Sequence, residues 1–184
     1  MCFGLLVVTT IVKSSIVAKV NGEPIETAEF QFEMLKERSF VYGYFVEKFK
    51  LGEEPLIWTK KYNNEIPLKV LQQRALKKAI TIKVLQLEMK KYGLQKDISY
   101  QTFKTIYQQQ ALQKSGDIKN GKVVYGLPSF TESNYFTYVF DNQLNALKML
   151  LFEKKVIKPA GYAQWLNKKI KAAKVTIYAE NLDR

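Results

Sequence analysis

The spacing of apolar residues along the chain predicts a mostly helical fold. A short β-prone run, Ile16–Val20, precedes an Asn-Gly pair that favours a turn. A first helix is expected to begin near Glu26 or Thr27, with Thr27 able to cap it. Its predicted apolar stripe consists of Phe30, Met34, Val41, Phe45 and Phe49. Gly43 lies inside this stretch, so the pattern alone leaves the continuity of the helix open.

A second, longer helix is predicted to begin at Pro67 and to end at Tyr92, with Gly93 as its stop. About 26 residues at ~1.5 Å each would give it a length of about 39 Å, enough for a central spine. Its predicted buried face consists of Leu68, Leu71, Ala75, Leu76, Ala79, Ile82 and Leu85.

Beyond the spine, the pattern predicts three more helices and a closing strand. Ser99 should cap a third helix, and residues 118–125, around Asn120-Gly121, are expected to form a small hairpin. The inward residues of the third helix are predicted to be Phe103, Ile106, Tyr107 and Leu112. The fourth helix should run from near Thr131 to about Lys154, and the fifth from Pro159 to about Ala173. The final strand is predicted over Val175–Tyr178.

The first residues differ in character from the rest of the chain. Met1–Val12 is uncharged and mostly apolar, about as long as the apolar part of an export signal and too short to span a bilayer unaided. A buried N-terminal strand is the other interpretation, because this run is rich in β-branched residues. Residues 1–15 are therefore predicted to be an export or anchor segment, and residues 16–184 a single helical domain.

The absence of histidine and the single cysteine exclude most familiar enzyme chemistry. Histidine-dependent nucleophiles, His-ligated metals and multi-cysteine zinc sites are all ruled out by composition. The carboxylate pairs Glu53-Glu54 and Glu29/Glu33 are interpreted as solvated surface. We therefore expect neither catalysis nor a metal or cofactor.

The chain is basic, with 29 Lys and Arg residues against 17 Asp and Glu residues. Such a surface suits nucleic acid, an anionic membrane or cell-wall surface, or acidic protein partners. Only Arg38, Arg74 and Arg184 are arginines, and no basic run exceeds two residues. Since base readout relies on bidentate arginine, the lysines are interpreted mainly as solvated helix faces, and nucleic acid is the less favoured partner.

Aromatic density marks the candidate binding residues. Residues 134–140 contain four aromatic side chains, more than one helix face can bury. An apolar, partly aromatic groove for extended peptide is one interpretation, and an aromatic-rich core with a few edge tyrosines is the other. The candidate peptide-binding residues are Tyr42, Phe45, Trp58, Tyr62, Tyr125, Phe130, Tyr135 and Tyr138.

Three stretches of the chain resemble the SurA/PrsA-type chaperone domain of exported peptidyl-prolyl isomerases. The first is Ala18–Ile25 followed by Ala28-Glu29-Phe30, and it matches the strand, Asn-Gly turn and helix start of that family. The second is the apolar spine from residue 71 to residue 87 with its Tyr92-Gly93 end. The third is the helix from Phe140 to Leu150.

The resemblance implies a chaperone without an isomerase. In that family a parvulin domain usually lies between the last two helices, whereas here only Lys155–Lys158 separates them. The resemblance also implies that strand Ile16–Val20 pairs with strand Val175–Tyr178. The expected function is extracytoplasmic, secreted or membrane-tethered binding of unfolded or exported polypeptides. The alternatives are a basic helical nucleic-acid-binding protein and a dedicated assembly or interaction subunit.

Overall fold

The computed structural model describes residues 16–123 and 130–183. The predicted export segment and the candidate Tyr125 lie outside these residues. The described residues form a mostly helical domain with a small sheet. In chain order the strands and α-helices are β1 (Ile16–Val20), β2 (Glu23–Glu26), α1 (Thr27–Phe49), α2 (Pro67–Lys91), α3 (Tyr100–Lys119), α4 (Glu132–Glu153), α5 (Tyr162–Ala172) and β3 (Val175–Ile177).

The two ends of the described chain meet in one antiparallel sheet of order β2-β1-β3. Lys19 of β1 lies opposite Pro24 of β2 on one side and opposite Thr176 of β3 on the other. The pairing of the first and last strands is thus confirmed. Strand β2 was not predicted, because Pro24 and two glutamates give a four-residue strand no apolar alternation.

Helix α2 is the central helix, as predicted, and contacts α1, α4, α5 and the sheet. Its apolar residues enter separate clusters: Ala75 and Ala79 pack with the sheet and α1, and Leu85 and Met89 pack with α4. At its end the Leu94 N–H donates to the Met89 carbonyl at 2.9 Å, and Gly93 has a φ of +76°. These are features of a glycine helix stop.

Helix α1 begins at the predicted place but with a different cap. Glu26, not Thr27, is the N-cap residue, and its backbone N–H donates to a carboxylate oxygen of Glu29 at 2.8 Å. The helix continues through Gly43 without interruption. Its apolar stripe is confirmed, with Phe30 and Phe45 among the most buried side chains.

Two predictions about α3 are wrong. Ile106 and Leu112 are exposed rather than inward, because α3 packs on α4 through the face that carries Phe103 and Tyr107. The prediction that Ile118 and Lys119 begin the first strand of a hairpin is also wrong, because these two residues form the last turn of α3. The Asn-Gly pair ends the helix instead, with Gly121 at φ +69°, because the same left-handed backbone serves a helix stop and a hairpin turn. Lys122 and Val123 form no strand, and the rest of the second arm lies outside the described residues.

The last helices begin and end near the predicted residues. The Thr131 side chain caps α4 by accepting a hydrogen bond from the Asn134 N–H at 3.2 Å. Pro159 opens a 3₁₀ turn, Pro159–Gly161, and α5 follows from Tyr162. This α5 packs its Trp165, Leu166 and Ile170 against the core, which leaves its lysines toward solvent.

Candidate functional site

Two of the predicted peptide-binding residues belong to the core. Phe45 is fully buried, with its ring 5.4 Å from that of Phe49 and 5.7 Å from that of Tyr62. Tyr62 is also buried, and its hydroxyl accepts a hydrogen bond from the Ile57 N–H at 3.1 Å. Their prediction as binding residues is wrong, because the loop after α1 folds back over the helix and closes this cluster against Leu71 of α2.

Tyr42 and Trp58 lie near the same end of α1 but do not form a groove. Tyr42 is exposed on α1, while Trp58 is half-buried beneath the guanidinium of Arg38, which lies 4.8 Å from the ring centroid. Among the described residues, no ring contact joins either side chain to the aromatic residues of α4. The candidate residues are therefore divided between separate surfaces.

The remaining described candidates, Phe130, Tyr135 and Tyr138, join two residues of α3 that were predicted to face inward, Phe103 and Tyr107, in a continuous aromatic surface between α3 and α4. We call it the α3–α4 aromatic cluster, and it consists of Phe103, Tyr107, Phe130, Tyr135 and Tyr138. The Tyr135 ring is central: its centroid lies 5.9 Å from that of Phe103, 5.6 Å from that of Tyr107 and 6.2 Å from that of Phe130. Tyr138 completes it, 6.1 Å from Phe130.

Two contacts fix the cluster to the body of the domain. The Tyr107 hydroxyl donates to the Phe130 carbonyl oxygen at 3.0 Å, which holds the residue before α4 against α3. On the inner side, the Phe103 ring meets that of buried Phe136 edge-on at 5.1 Å. Phe136 in turn contacts Phe32 of α1 at 5.6 Å. The cluster is thus the outer edge of a packed aromatic layer, so its rings are held in place before any ligand binds.

The outer side of the cluster faces solvent and carries positive charge. Tyr138 is 57% exposed. The Lys114 ammonium lies 4.7 Å from the Phe130 ring centroid, a cation–π distance. Partial burial raises the pKa of the Tyr135 phenol by disfavouring its charged form.

A buried ion pair joins α1 to α2 beneath this aromatic layer. Lys83 Nζ lies 2.7 Å from Glu29 Oε1, and both side chains are almost completely buried. Glu33 is buried as well, so the interpretation of Glu29/Glu33 as solvated surface is wrong. Burial raises the pKa of the Glu29 carboxyl, while the neighbouring lysine opposes that shift. The sequence offered one signal for this pair: Lys83 falls on the apolar face of α2, four residues after Ala79.

A cavity of about 20 Å³ lies next to Glu29, with Gln86, Gln95 and Phe140 on its walls. The side-chain carbonyl oxygens of Gln86 and Gln95 are buried and have no hydrogen-bond partner among the residues that the structure describes. The space suits about one water molecule and is far below the volume of an ordinary small-molecule site. Within residues 16–123 and 130–183, no group of three or more Cys, Asp or Glu residues could hold a metal ion.

The second feature of the surface is a lysine-rich segment, residues 154–174, that contains no acidic residue. Its lysines are Lys154, Lys155, Lys158, Lys168, Lys169, Lys171 and Lys174. Lys169 pairs with Glu88 of α2 at 2.9 Å. The sequence shows this run directly, but only the packing of α5 shows that its charged face points to solvent.

No protein-family model matches this chain, and the curated proteins and solved structures give no match either. The similarity to the SurA/PrsA-type domain therefore stays a prediction based on the motifs. In the described part of the chain, no helix is both long enough and apolar enough to cross a membrane.

Proposed function

We propose that this protein is a non-catalytic, chaperone-like domain that binds unfolded or exported polypeptides through the α3–α4 aromatic cluster. The observation that carries the proposal is the continuity of the five rings, which join on their inner side to a packed layer and face solvent at Tyr138. Exposed contiguous apolar surface on a soluble domain marks an interaction site more often than chance exposure.

The proposed mechanism is reversible burial of client side chains. Apolar residues of an extended client would cover the faces of Tyr135, Tyr138 and Phe130. Because rings present flat surfaces with no directional requirement, this contact tolerates many client sequences. Lys114 at the edge would attract acidic client segments and keep the complex soluble.

Extracytoplasmic location, secreted or membrane-tethered, is part of the same proposal and is supported by the apolar run Met1–Val12. A fusion of residues 1–20 to a reporter that is active only outside the cytoplasm tests it. Reporter activity is expected, and its loss when Val7 and Val8 are changed to Asp would assign export to this run. An inactive reporter with the unchanged segment contradicts this part of the proposal.

The test of client binding is light scattering of a chemically unfolded, aggregating protein with increasing amounts of this domain. Suppression is expected at both about 50 mM and about 300 mM salt, because apolar contact is little screened. Tyr138→Ser should weaken the suppression severalfold. Phe40→Ser is the matched control, since Phe40 on α1 has the same 57% exposure but lies outside the cluster. Equal effects of the two substitutions, or no suppression at either salt, would contradict the proposal.

Polyanion binding is the second candidate function, and the acid-free lysine segment 154–174 favours it. A nucleic-acid or other phosphate ligand held by these lysines should lose orders of magnitude in affinity between about 50 and about 200 mM salt. Suppression of aggregation only at low salt, together with such a ligand, would replace the chaperone proposal by this one. A single partner bound in fixed stoichiometry would indicate a dedicated assembly subunit.

A further inference from the structure

Strand β3 is an edge strand whose outward backbone groups have no partner among the described residues. The Asn21 N–H donates to the Lys174 carbonyl at 2.8 Å, and the Tyr178 N–H donates to the Val17 carbonyl at 2.9 Å. Since hydrogen bonding alternates along an antiparallel pair, the residues between, Val175 and Ile177, direct their N–H and C=O groups away from β1. This edge can therefore accept another strand.

The side chains of the same two residues continue a buried apolar face to the surface. Val175 lies opposite Val20, and Ile177 lies opposite Ala18. Ala18 and Val20 are fully buried in the core, whereas Val175 is 36% exposed and Ile177 is 49% exposed. An added strand would extend this face, and its alternate side chains would cover Val175 and Ile177.

The opposite face of β3 is positively charged. Lys174 alternates with Val175 and so shares a face with Thr176 and with Lys19, which lies opposite Thr176. Between Lys154 and Ala179 there is no acidic residue in the sequence. Acidic residues on an incoming strand would lie beside the lysines of this face. Residues 154–179 contribute no carboxylate that would compete for these lysines.

We propose that the outer edge of β3 binds an extended segment of a partner protein in which apolar residues alternate with acidic ones. The segment adds a fourth strand to the sheet: its backbone bonds to Val175 and Ile177, its apolar residues cover these side chains, and its acidic residues face Lys174 and Lys19. Main-chain bonding of this kind supplies affinity, and the alternating side chains supply selectivity. This surface is formed by elements other than those of the α3–α4 aromatic cluster, so the inference does not depend on the proposed chaperone function.

The probe is a fluorescein-labelled, end-blocked peptide of alternating valine and glutamate flanked by glycines, titrated into the full chain by fluorescence anisotropy. Saturable binding is expected. The same peptide with lysine for glutamate should bind about tenfold or more weakly. Val175→Pro should also weaken binding about tenfold, because it removes an outward N–H while the bonds to β1 remain. Thr176→Ser, which leaves the outward groups unchanged, is the control and should bind as the unchanged protein does.

Hydrogen exchange of the unchanged protein keeps the test independent of how Val175→Pro folds. Saturating peptide should slow exchange of the Val175 and Ile177 amides by about tenfold or more, whereas the Tyr178 amide, already bonded to β1, should change little. A bound peptide that leaves the two outward amides unprotected would overturn the inference, as would equal binding of the lysine peptide. A concentration-dependent dimer that excludes the peptide would also overturn it, since the occupant would then be a second copy.

The two proposals fail separately. Val175→Pro is expected to suppress client aggregation as well as the unchanged protein does, and Tyr138→Ser is expected to bind the valine–glutamate peptide normally. Loss of client suppression in Tyr138→Ser without loss of peptide binding would leave both proposals standing as two distinct surfaces.

Discussion

Replacement of Lys83 by methionine tests the energetic role of the buried ion pair between α1 and α2. Lys83 Nζ lies 2.7 Å from Glu29 Oε1, and the two side chains are 1% and 5% exposed. Methionine is apolar and similar in length, so Lys83→Met keeps most of the packing but leaves the Glu29 carboxylate buried without its cation. A buried charge that loses its partner typically costs 3–5 kcal/mol, and we expect a loss of about that size at pH 7. For a chain of this length the melting temperature should fall by roughly 6–20 °C.

The pH dependence follows from the pKa of Glu29. Burial raises this pKa above its ordinary value of 4.5, and Lys83 opposes the shift, so the pKa should rise further in Lys83→Met. A raised carboxyl pKa means that the folded state binds a proton more readily than the unfolded state. The resulting stability is fully present below pH 4.5 and is lost as the pH rises through the folded pKa. The deficit of Lys83→Met should therefore be smallest near pH 4 and grow toward neutrality.

Urea unfolding followed by circular dichroism between pH 4 and pH 8 measures both effects. Lys78→Met, at an exposed position of the same helix, is the matched control and should change the unfolding free energy by less than about 0.5 kcal/mol. The double variant Glu29→Gln/Lys83→Met should recover part of the loss, since it buries no charge. A Lys83→Met variant as stable as the control at pH 7, or one whose deficit does not vary with pH, would refute the reasoning.

Two further predictions concern stability. Phe45→Ala should lower the free energy of unfolding in urea by about 3–5 kcal/mol, because removal of this fully buried ring leaves a cavity among its aromatic neighbours. Unchanged stability together with a loss of peptide binding would instead make Phe45 a binding residue. Gly93→Ala should cost about 1 kcal/mol because its φ is +76°, whereas Gly43→Ala, inside α1 with open space around it, should stabilise by about 0.5–1 kcal/mol. Thermal melts of both glycine variants compare the signs directly, and a shift in the same direction for both contradicts this account.

Local rules account for the parts of the fold that the sequence predicts well. Ser99 caps the helix that it was expected to cap, the fourth helix begins near Thr131 as expected, and Pro67 and Gly93 bound the central helix as predicted. These features depend on the backbone preferences of residues close together in the chain. The Asn120-Gly121 pair shows the limit of such rules, because positive φ suits both a hairpin turn and the helix stop that is observed.

The candidate site was predicted in part, and the errors share one cause. Aromatic density pointed to Tyr135, Tyr138 and Phe130, whose rings lie in one cluster that is exposed at Tyr138, and their role in peptide binding stays a prediction. It pointed wrongly to Phe45 and Tyr62, because composition cannot distinguish a ring covered by a distant loop from a ring at the surface.

The helical class, most helix ends, the basic charge and the exclusion of histidine chemistry all follow from residue identity or from near neighbours in the chain. Long-range packing sets which apolar side chains stay exposed and which charges are paired inside. Lys83 and Glu29 are 54 positions apart, and they meet only because α1 and α2 pack face to face. Burial depends on what covers a residue, and for this chain the covering residues come from distant positions.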